Sequence, residues 1–423
     1  MASERGRILD FIRALKALGG VEEYAARLRS KHEETPARVP GASSVSSAAL
    51  EKRWRLLGKR PAAIADANAA ESAERYCHNI EHYIGTIKVP VGIAGPLRVN
   101  GLFAQGDFYV PLATTEAALV ASYSRGAFLL TEAGGCAAVL LNEGVTRAPG
   151  FAFASLEQAG LFVAWAVGEM ERFREAAEST TRHGKLIDLR VTLEGNHAYL
   201  QFEFTTGDAS GQNMVTIATE AICRYIEQAS PVKPDYWFLE ANLSGDKKAS
   251  SLSFLAVRGK KVSAEAVIPK DLLEKRLRTT AERMTDYWRM AAMGGVMSGS
   301  MGVHGHYANG LAALFLATGQ DVACVAESAV GVTRFETRGA GDLYASVTLP
   351  DVIVGTVGGG CGLPSQSEAL EILGLHGAGQ ARALAEIAAA LCLAGELSII
   401  GAFCSGDFAS AHARLARGKD RGQ

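Results

Sequence analysis

The chain has 423 residues, a formal net charge of −2, 48% hydrophobic residues and 21% charged residues. That length supports two or three domains with a sizeable core, and that composition excludes intrinsic disorder. The near balance of charge excludes any general attraction to nucleic acid or anionic membrane.

The amino-terminal stretch "MASERGRILDFIRALKALGG" lacks the long apolar core of a cleavable signal. Instead Ile8, Leu9, Phe11, Ile12, Leu15 and Leu18 recur at helical spacing, and Gly19-Gly20 interrupts them. "VEEYAARLRSKHEE" then resumes a second amphipathic helix. A Ser/Ala/Pro-rich connection follows near 36–48, and from about 85 to 148 short extended pieces alternate with glycine turns.

Between 149 and 240 the pattern is more legible. "FAFAS" reads as a strand and "LEQAGLFVAWAVGEMERFREAAE" as one helix. "KLIDLRVTL" alternates, with Ile187, Leu189, Val191 and Leu193 on one face. "HAYLQFEF" alternates again through Leu200, Phe202 and Phe204. "QNMVTIATEAICRYIEQ" is a second helix and "DYWFLEA" a last strand. The order β-α-β-β-α-β predicts a ferredoxin-like unit inserted into a larger domain. After 250 the pattern is mostly helical, with strands near 252–267 and 342–354.

The late segment "AAALCLAGELSIIGAFC" carries Glu396 and many small residues, so it reads as a packed core helix and not as a membrane span. The seven cysteines are scattered, odd in number and without CxxC spacing. They fit a reducing, cytoplasmic compartment.

Neither GxGxxG nor GxxxxGK[ST] occurs, so a standard Rossmann turn and a P-loop are unsupported. "GDASGQNM" at 207–214 opens a helix and "GTVGGGCG" at 355–362 follows a strand. Each reads equally as a plain turn or as a backbone cradle for a pyrophosphate. "STTRHGK" at 179–185 is either a basic helix end or a holder for a 2′-phosphate. "SGDKKASS" places Lys247 and Lys248 either on a solvated turn or toward an anion. Glu116 and Asp321 stand beside apolar residues, which predicts that they are paired inside. His412, near the carboxyl terminus, stands on a predicted helix.

Together and in this order, these segments resemble the 3-hydroxy-3-methylglutaryl-CoA (HMG-CoA) reductase family. "VPVGIAGPL", "FYVPLATTEAALVASYSRG", "EGVTRAPG", "STTRHGKL", "GDASGQNM", "DKKAS", "HYANGLAALFLATGQD", "LPDVIVGTVGGGC" and "AGELS" carry the resemblance over about residues 70–415. It implies an α+β fold with a small helical region at 1–70 and a large substrate-binding domain at 71–148 and 241–423. A ferredoxin-like cofactor domain at 149–240 would be inserted into the large one. It further implies a homodimer or higher oligomer with sites at the subunit interface, NADPH as cofactor and no metal. The substrate would be HMG-CoA and the products mevalonate and free CoA, formed through a hemithioacetal and mevaldehyde.

Carried over residue by residue, the resemblance makes Lys247 the cation that stabilises the developing oxyanion. Glu116 would be the proton donor, Asp321 would sit between Glu116 and Lys247, and Asn309 would bond within that cluster. His412 would protonate the departing CoA thiolate. Lys248, assisted by Arg147, would face the substrate's free carboxylate. Ser122, Arg125, Arg278, Thr279 and Thr280 would serve coenzyme A. Thr181, Arg182, His183, Asp208, Gly211, Asn213, Gly358 and Gly359 would serve the nicotinamide cofactor, Arg182 favouring NADPH over NADH.

This chain also departs from the family pattern. His82 and Tyr83 interrupt the opening motif, Ser210 and Gln212 replace two methionines of the cofactor segment, Glu240 stands where a substrate-binding serine is common, and Phe128 where a basic residue often serves coenzyme A. An NADH-using member oxidising mevalonate, and a reductase of another acyl-CoA, are the alternative enzyme readings. A non-catalytic CoA-binding paralogue is the alternative from another class.

Overall fold

The computed structural model describes residues 4–17, 21–30 and 35–406. The amino-terminal part is helical: α1 (Glu4–Ala17), α2 (Val21–Leu28), α3 (Ser47–Leu57) and the short α4 (Ala67–Glu71). Ser46 starts α3 by accepting the Ala49 N–H, and Gly58 ends it in the left-handed conformation. Ile8, Leu9 and Phe11 of α1 are exposed among the described residues.

A hairpin of β1 (Val91–Gly101) and β2 (Gln105–Ala113) leads through α5 (Leu119–Glu132) to the long strand β3 (Cys136–Arg147). The 149–240 segment follows as β4 (Gly150–Ala152), α6 (Leu156–Gly168), α7 (Met170–Glu178), β5 (Lys185–Glu194), β6 (His197–Thr205), α8 (Gln212–Ala229) and β7 (Tyr236–Phe238). Then come β8 (Gly259–Ile268), α9 (Lys270–Leu277), α10 (Ala281–Ser298), β9 (Gly302–Val303) and α11 (Tyr307–Thr318). The chain closes with α12 (Val325–Ser328), β10 (Gly331–Arg338), β11 (Asp342–Val352), α13 (Pro364–Ile372) and α14 (Ala381–Ser405).

The fold is mixed α/β, and its sheet mixes parallel and antiparallel pairs. β3 joins its two parts. Its first half pairs with β1 and β8, while Val145–Arg147 at its end pairs with β6. Within the 149–240 segment the strands lie side by side as β7-β4-β6-β5, all antiparallel. They enclose a separate core of Phe151, Phe162, Phe173, Phe202, Phe204 and Ile222.

Two details differ from the sequence reading. The single helix expected over 156–178 is two, because the chain turns at Glu169, whose carboxylate accepts the Tyr225 hydroxyl at 2.5 Å. The face expected to carry Ile187 is shifted by a bulge between Leu186 and Asp188. Leu186 is buried and Ile187 exposed, since one extra residue swaps the face of what precedes it.

Among the described residues, only α14 is long and apolar enough to cross a membrane, and 89% of its apolar window is buried within the fold. Each fully buried leucine on it, such as Leu384 or Leu391, contributes about 2 kcal/mol. Its two acids are not exposed. Glu386 accepts the N–H groups of Leu102, Phe103 and Ala104 and so fixes the β1–β2 turn. α5 crosses α14 so closely that a Cβ on Gly126 would lie 1.8 Å from the Ala394 carbonyl oxygen. Gly126→Ala therefore lowers stability by the upper end of the roughly 1–3 kcal/mol typical of overpacking. A reduced midpoint of thermal unfolding checks this.

Candidate active site

Glu116 lies in the loop joining β2 to α5, where the Thr114 hydroxyl accepts its N–H at 3.0 Å. Its carboxylate accepts the Asn309 side-chain amide at 2.7 Å. Asn309 sits in the first turn of α11, and the start of that helix is fixed from behind. Fully buried Glu396 accepts the N–H groups of Gly305 and His306 and the Thr333 hydroxyl. Burial alone would raise the Glu396 pKa, but the His306 ring and these backbone donors outweigh it and hold the carboxyl below its ordinary value. In front of the Glu116–Asn309 pair opens a cleft of about 470 Å³ lined by Val89, Thr114, Glu116, Leu119, Asn309 and Leu316.

The second cluster stands on the loop after β7. Lys247 Nζ lies 2.9 Å from Asp321 Oδ2, each side chain being 42% exposed. The hydrogen bond to Asp321 raises the Lys247 pKa. For Asp321, burial pushes upward, yet the Lys247 ammonium and the Ala323 N–H prevail and hold the carboxyl below its usual value. Both groups are ionised at neutrality. The Lys247 backbone adopts a φ of +56°, which costs an L-residue roughly 1–2 kcal/mol. Surrounding bonds must therefore hold it.

Those bonds come from a buried ionic network. Arg147 Nη1 reaches Glu240 Oε2 at 3.1 Å and Asp246 Oδ2 at 3.0 Å, and its Nη2 donates to Thr216. Arg258 Nη2 donates to the other Asp246 oxygen at 2.7 Å. Glu240 also accepts the Asn242 N–H and the Ser244 hydroxyl. The acidic residue at 240 thus faces Arg147 and ties down the 242–246 turn. Lys248 is exposed and its Nζ donates to the Asp246 carbonyl.

The cofactor candidates gather on this same side. The Thr181 hydroxyl accepts the N–H groups of His183 and Gly184 and touches Met214 of α8, leaving Arg182 and His183 exposed. Gly211 begins α8 at φ +79°, and any Cβ there would meet Thr206 at 2.2 Å. Asn213 is exposed two residues on, within the first turn of α8. Asp208 spends both carboxylate oxygens on the N–H groups of Gly379 and Ala381, while its carbonyl accepts the Thr356 N–H. The two glycine segments are therefore neighbours in space. Gly358 and Gly359 present exposed backbone beside them. Gln212 donates to Cys324 Sγ at 2.7 Å, which joins the 207–214 segment to the turn that Asp321 caps.

The coenzyme A candidates fall elsewhere. Ser122 and Arg125 meet at Ser398 of α14, at 2.9 and 3.0 Å. Arg278, Thr279 and Thr280 join α9 to α10, with Thr280 capping α10 and Leu277 packed against Gly401. Phe128 is covered by the Arg276 guanidinium, 5.1 Å from the ring centroid. His412 lies outside the described residues.

Within one chain these clusters do not converge. Asn309 lies in the first turn of α11 and Asp321 beyond its end. The helix alone separates them by about 14 Å at 1.5 Å per residue. Asp321 pairs with Lys247 and does not sit between Lys247 and Glu116 of the same chain. Glu116 and Asp321 are paired as expected, but on exposed loops and not inside.

Residues 47–417 match the family profile described as hydroxymethylglutaryl-coenzyme A reductase. The chain belongs to that family. It is 46% identical to the 3-hydroxy-3-methylglutaryl-coenzyme A reductase of Pyrococcus horikoshii over 347 residues, covering 80% of this chain and 84% of that protein. It is 44% identical to the same enzyme of Aeropyrum pernix over 384 residues, covering 89% and 91%. Among solved structures, the class II reductase of Streptococcus pneumoniae bound to NADPH in open conformations shares the fold. The TM-score is 0.64 at 21% identity, over 84% of this chain and 96% of that one.

Asp246, Arg258 and Glu327 of this HMG-CoA reductase family member escaped the sequence reading, as did the bonds that Glu396 makes to the start of α11. Glu327 in "VAESAVG" and Glu396 in "LAGELSII" did carry a signal. Each is a lone acid in an apolar run, which must be bonded if buried.

Proposed function

We propose that this protein is an HMG-CoA reductase that converts the HMG-CoA thioester to mevalonate and free CoA at the expense of two NADPH and two protons. The observation that carries this is the Lys247–Asp321 ion pair, joined through Cys324 and Gln212 to the 207–214 segment. It is a fixed cation beside a candidate cofactor loop. The residues fit a phosphorylated dinucleotide: exposed Arg182 and His183 follow Thr181, which touches Met214 in the first turn of α8, and Gly358 and Gly359 present open backbone. When bound, the cofactor supplies hydride.

Each hydride goes to a carbonyl carbon, and the chain's own groups manage the charge that develops on oxygen. Lys247, kept ionised by Asp321, stabilises the alkoxide formed from the thioester carbonyl. Glu116, oriented by Asn309, supplies the proton that gives the hemithioacetal. As the hemithioacetal collapses, its hydroxyl proton returns to Glu116, the C–S bond breaks to give mevaldehyde, and His412 gives a proton to the leaving thiolate. A second hydride and proton then give mevalonate. Lys248 holds the substrate's free carboxylate, Arg147 holds the loop that presents Lys248, and Ser122, Arg125 and Arg278–Thr280 hold coenzyme A.

In this reading the 149–240 segment is a ferredoxin-like cofactor domain, supported by its strand order and its own core. The active site is completed by a second copy of the chain. Glu116 and Asn309 of one protomer face Lys247 and Asp321 of its partner. The separation of the two pairs along α11 supports this. So do Met290, Met293, Val296 and Met297, exposed on the half of α10 that leads toward Asn309. We place the enzyme in the cytoplasm on its seven scattered cysteines, odd in number and without CxxC spacing.

The decisive assay follows nicotinamide oxidation and thiol release with HMG-CoA. Two NADPH consumed per thiol supports the proposal, and no turnover by folded protein overturns it. Arg182→Ala should weaken NADPH by roughly tenfold or more and leave NADH nearly unchanged, measured as KM for each. A preference for NADH in the unaltered enzyme favours the oxidative reading.

A further inference from the structure

Glu327 is fully buried and lies directly behind Lys247. Its Oε1 accepts the Lys247 backbone N–H at 3.1 Å, across 80 residues of sequence. Its Oε2 stands 3.3 Å from Arg258 Nε without an aligned hydrogen bond. A buried ion pair is seldom retained for stability, since an apolar residue of the same shape is as good or better. What an apolar residue cannot do is hold the N–H of a lysine whose φ is +56°.

We infer that Glu327 is a positioning residue for Lys247, a clamp on its backbone whose strength is set by the buried charges that share Arg258. This rests on the reading of Lys247 given above. The surroundings supply the coupling. Arg258 also binds Asp246 through Nη2 and Asp351 through its backbone N–H at 2.7 Å. Arg147 shares Asp246 and meets Glu240. Two guanidinium groups thus meet three carboxyls, Glu240, Asp246 and Glu327, and a fourth, Asp351, stands on the Arg258 backbone N–H with Lys261 as its further cation. From its own side Glu327 faces Cys324, and from the loop opposite it faces Lys247.

Such an excess of acid favours proton uptake near neutrality. Burial pushes the Glu327 carboxyl up to about 7, against the pull of Arg258 and the Lys247 N–H. Burial likewise pushes Asp351 up to about 7. Ionised Glu327 is the better acceptor, so the clamp tightens as pH rises through that value. Stability runs the other way. A carboxyl whose folded pKa is raised binds more protons folded than unfolded, so its contribution is lost between about pH 4.5 and 7.

The test compares the full-length protein with E327Q, E327A and D351N by hydrogen exchange of the peptide spanning 244–251 and by kcat and KM across pH 5.5–8.5. The expected results are that E327A exchanges the Lys247 amide at least about tenfold faster, and that its kcat falls about tenfold or more with KM changed less than about threefold. E327Q keeps the acceptor oxygen and so most of the protection. It loses the rise in kcat near pH 7 that the unaltered enzyme and D351N retain. If E327A does not fold, E327Q carries the test.

Unchanged exchange and kcat in folded E327A overturns the inference, as does a pH step that persists in E327Q or vanishes instead in D351N. A merely structural role would lower the active fraction without moving the profile. Should the unaltered protein fail to reduce HMG-CoA, the functional proposal fails, while the exchange measurement still reads the clamp.

Discussion

Lys247→Met should lower kcat for HMG-CoA reduction by about 10²–10³-fold, with NADPH affinity changed less than about threefold. The substitution keeps most of the side-chain volume and removes only the ammonium. In the unaltered protein that ammonium is ionised at neutrality and held at a fixed point by Asp321, 2.9 Å away. Charge appears on the thioester oxygen only as hydride arrives, so its stabilisation belongs to the transition state and appears in kcat more than in KM. Asp321→Asn should give a smaller loss, because the lysine remains but its position is less fixed. Equal losses in kcat/KM for both cofactors, with unchanged circular dichroism, would place the defect in chemistry and not in folding or docking. A Lys247→Met enzyme with near-normal turnover would require another cation at the carbonyl.

The second large effect concerns the separation of the two pairs along α11. Glu116→Gln and Lys247→Met homodimers should each be nearly inactive. Mixing the two after unfolding and refolding together should restore about a quarter of the unaltered activity. Half the dimers are then mixed, and each mixed dimer has one site with both native residues and one with neither. If Glu116 and Lys247 of one chain served the same site, every site would carry one defect and mixing would restore nothing. Restoration far above a quarter is equally incompatible with a two-chain site. The recovered activity therefore measures the geometry directly.

The alternation of "HAYLQFEF" was legible because β6 has its core-facing residues, Leu200, Phe202 and Phe204, buried without interruption. The neighbouring β5 was misread at Ile187 because a bulge leaves no mark on a pattern of apolar residues. The apolar run of α14 was correctly read as core, since its small residues admit close neighbours such as α5. At the site, motif residues could be named one by one, but not their grouping. Nothing in "HYANGLAALFLATGQD" states that its Asn and its Asp serve different clusters until α11 is seen as a straight spacer. Asp246 and Arg258 stayed invisible for a related reason. A charge on a polar turn and a charge in a buried network read alike in sequence. Their difference lies in partners up to about a hundred residues away, such as Arg147 for Asp246 and Asp351 for Arg258.

The rod-like α14 has a mechanical consequence. Asp208 grips its first turn through the N–H groups of Gly379 and Ala381, while Glu396 and Ser398, about 25 Å further along, hold the start of α11 and the Ser122–Arg125 pair. A buried helix of this length slides poorly, since most side chains on it are buried against neighbours. Any displacement of the 207–214 segment must therefore either break the Asp208 bonds or be delivered, nearly undiminished, to the far end of the same chain. In a symmetric pair of chains that far end would belong to the other active site, so the two sites would be geared to each other through the cores of the subunits.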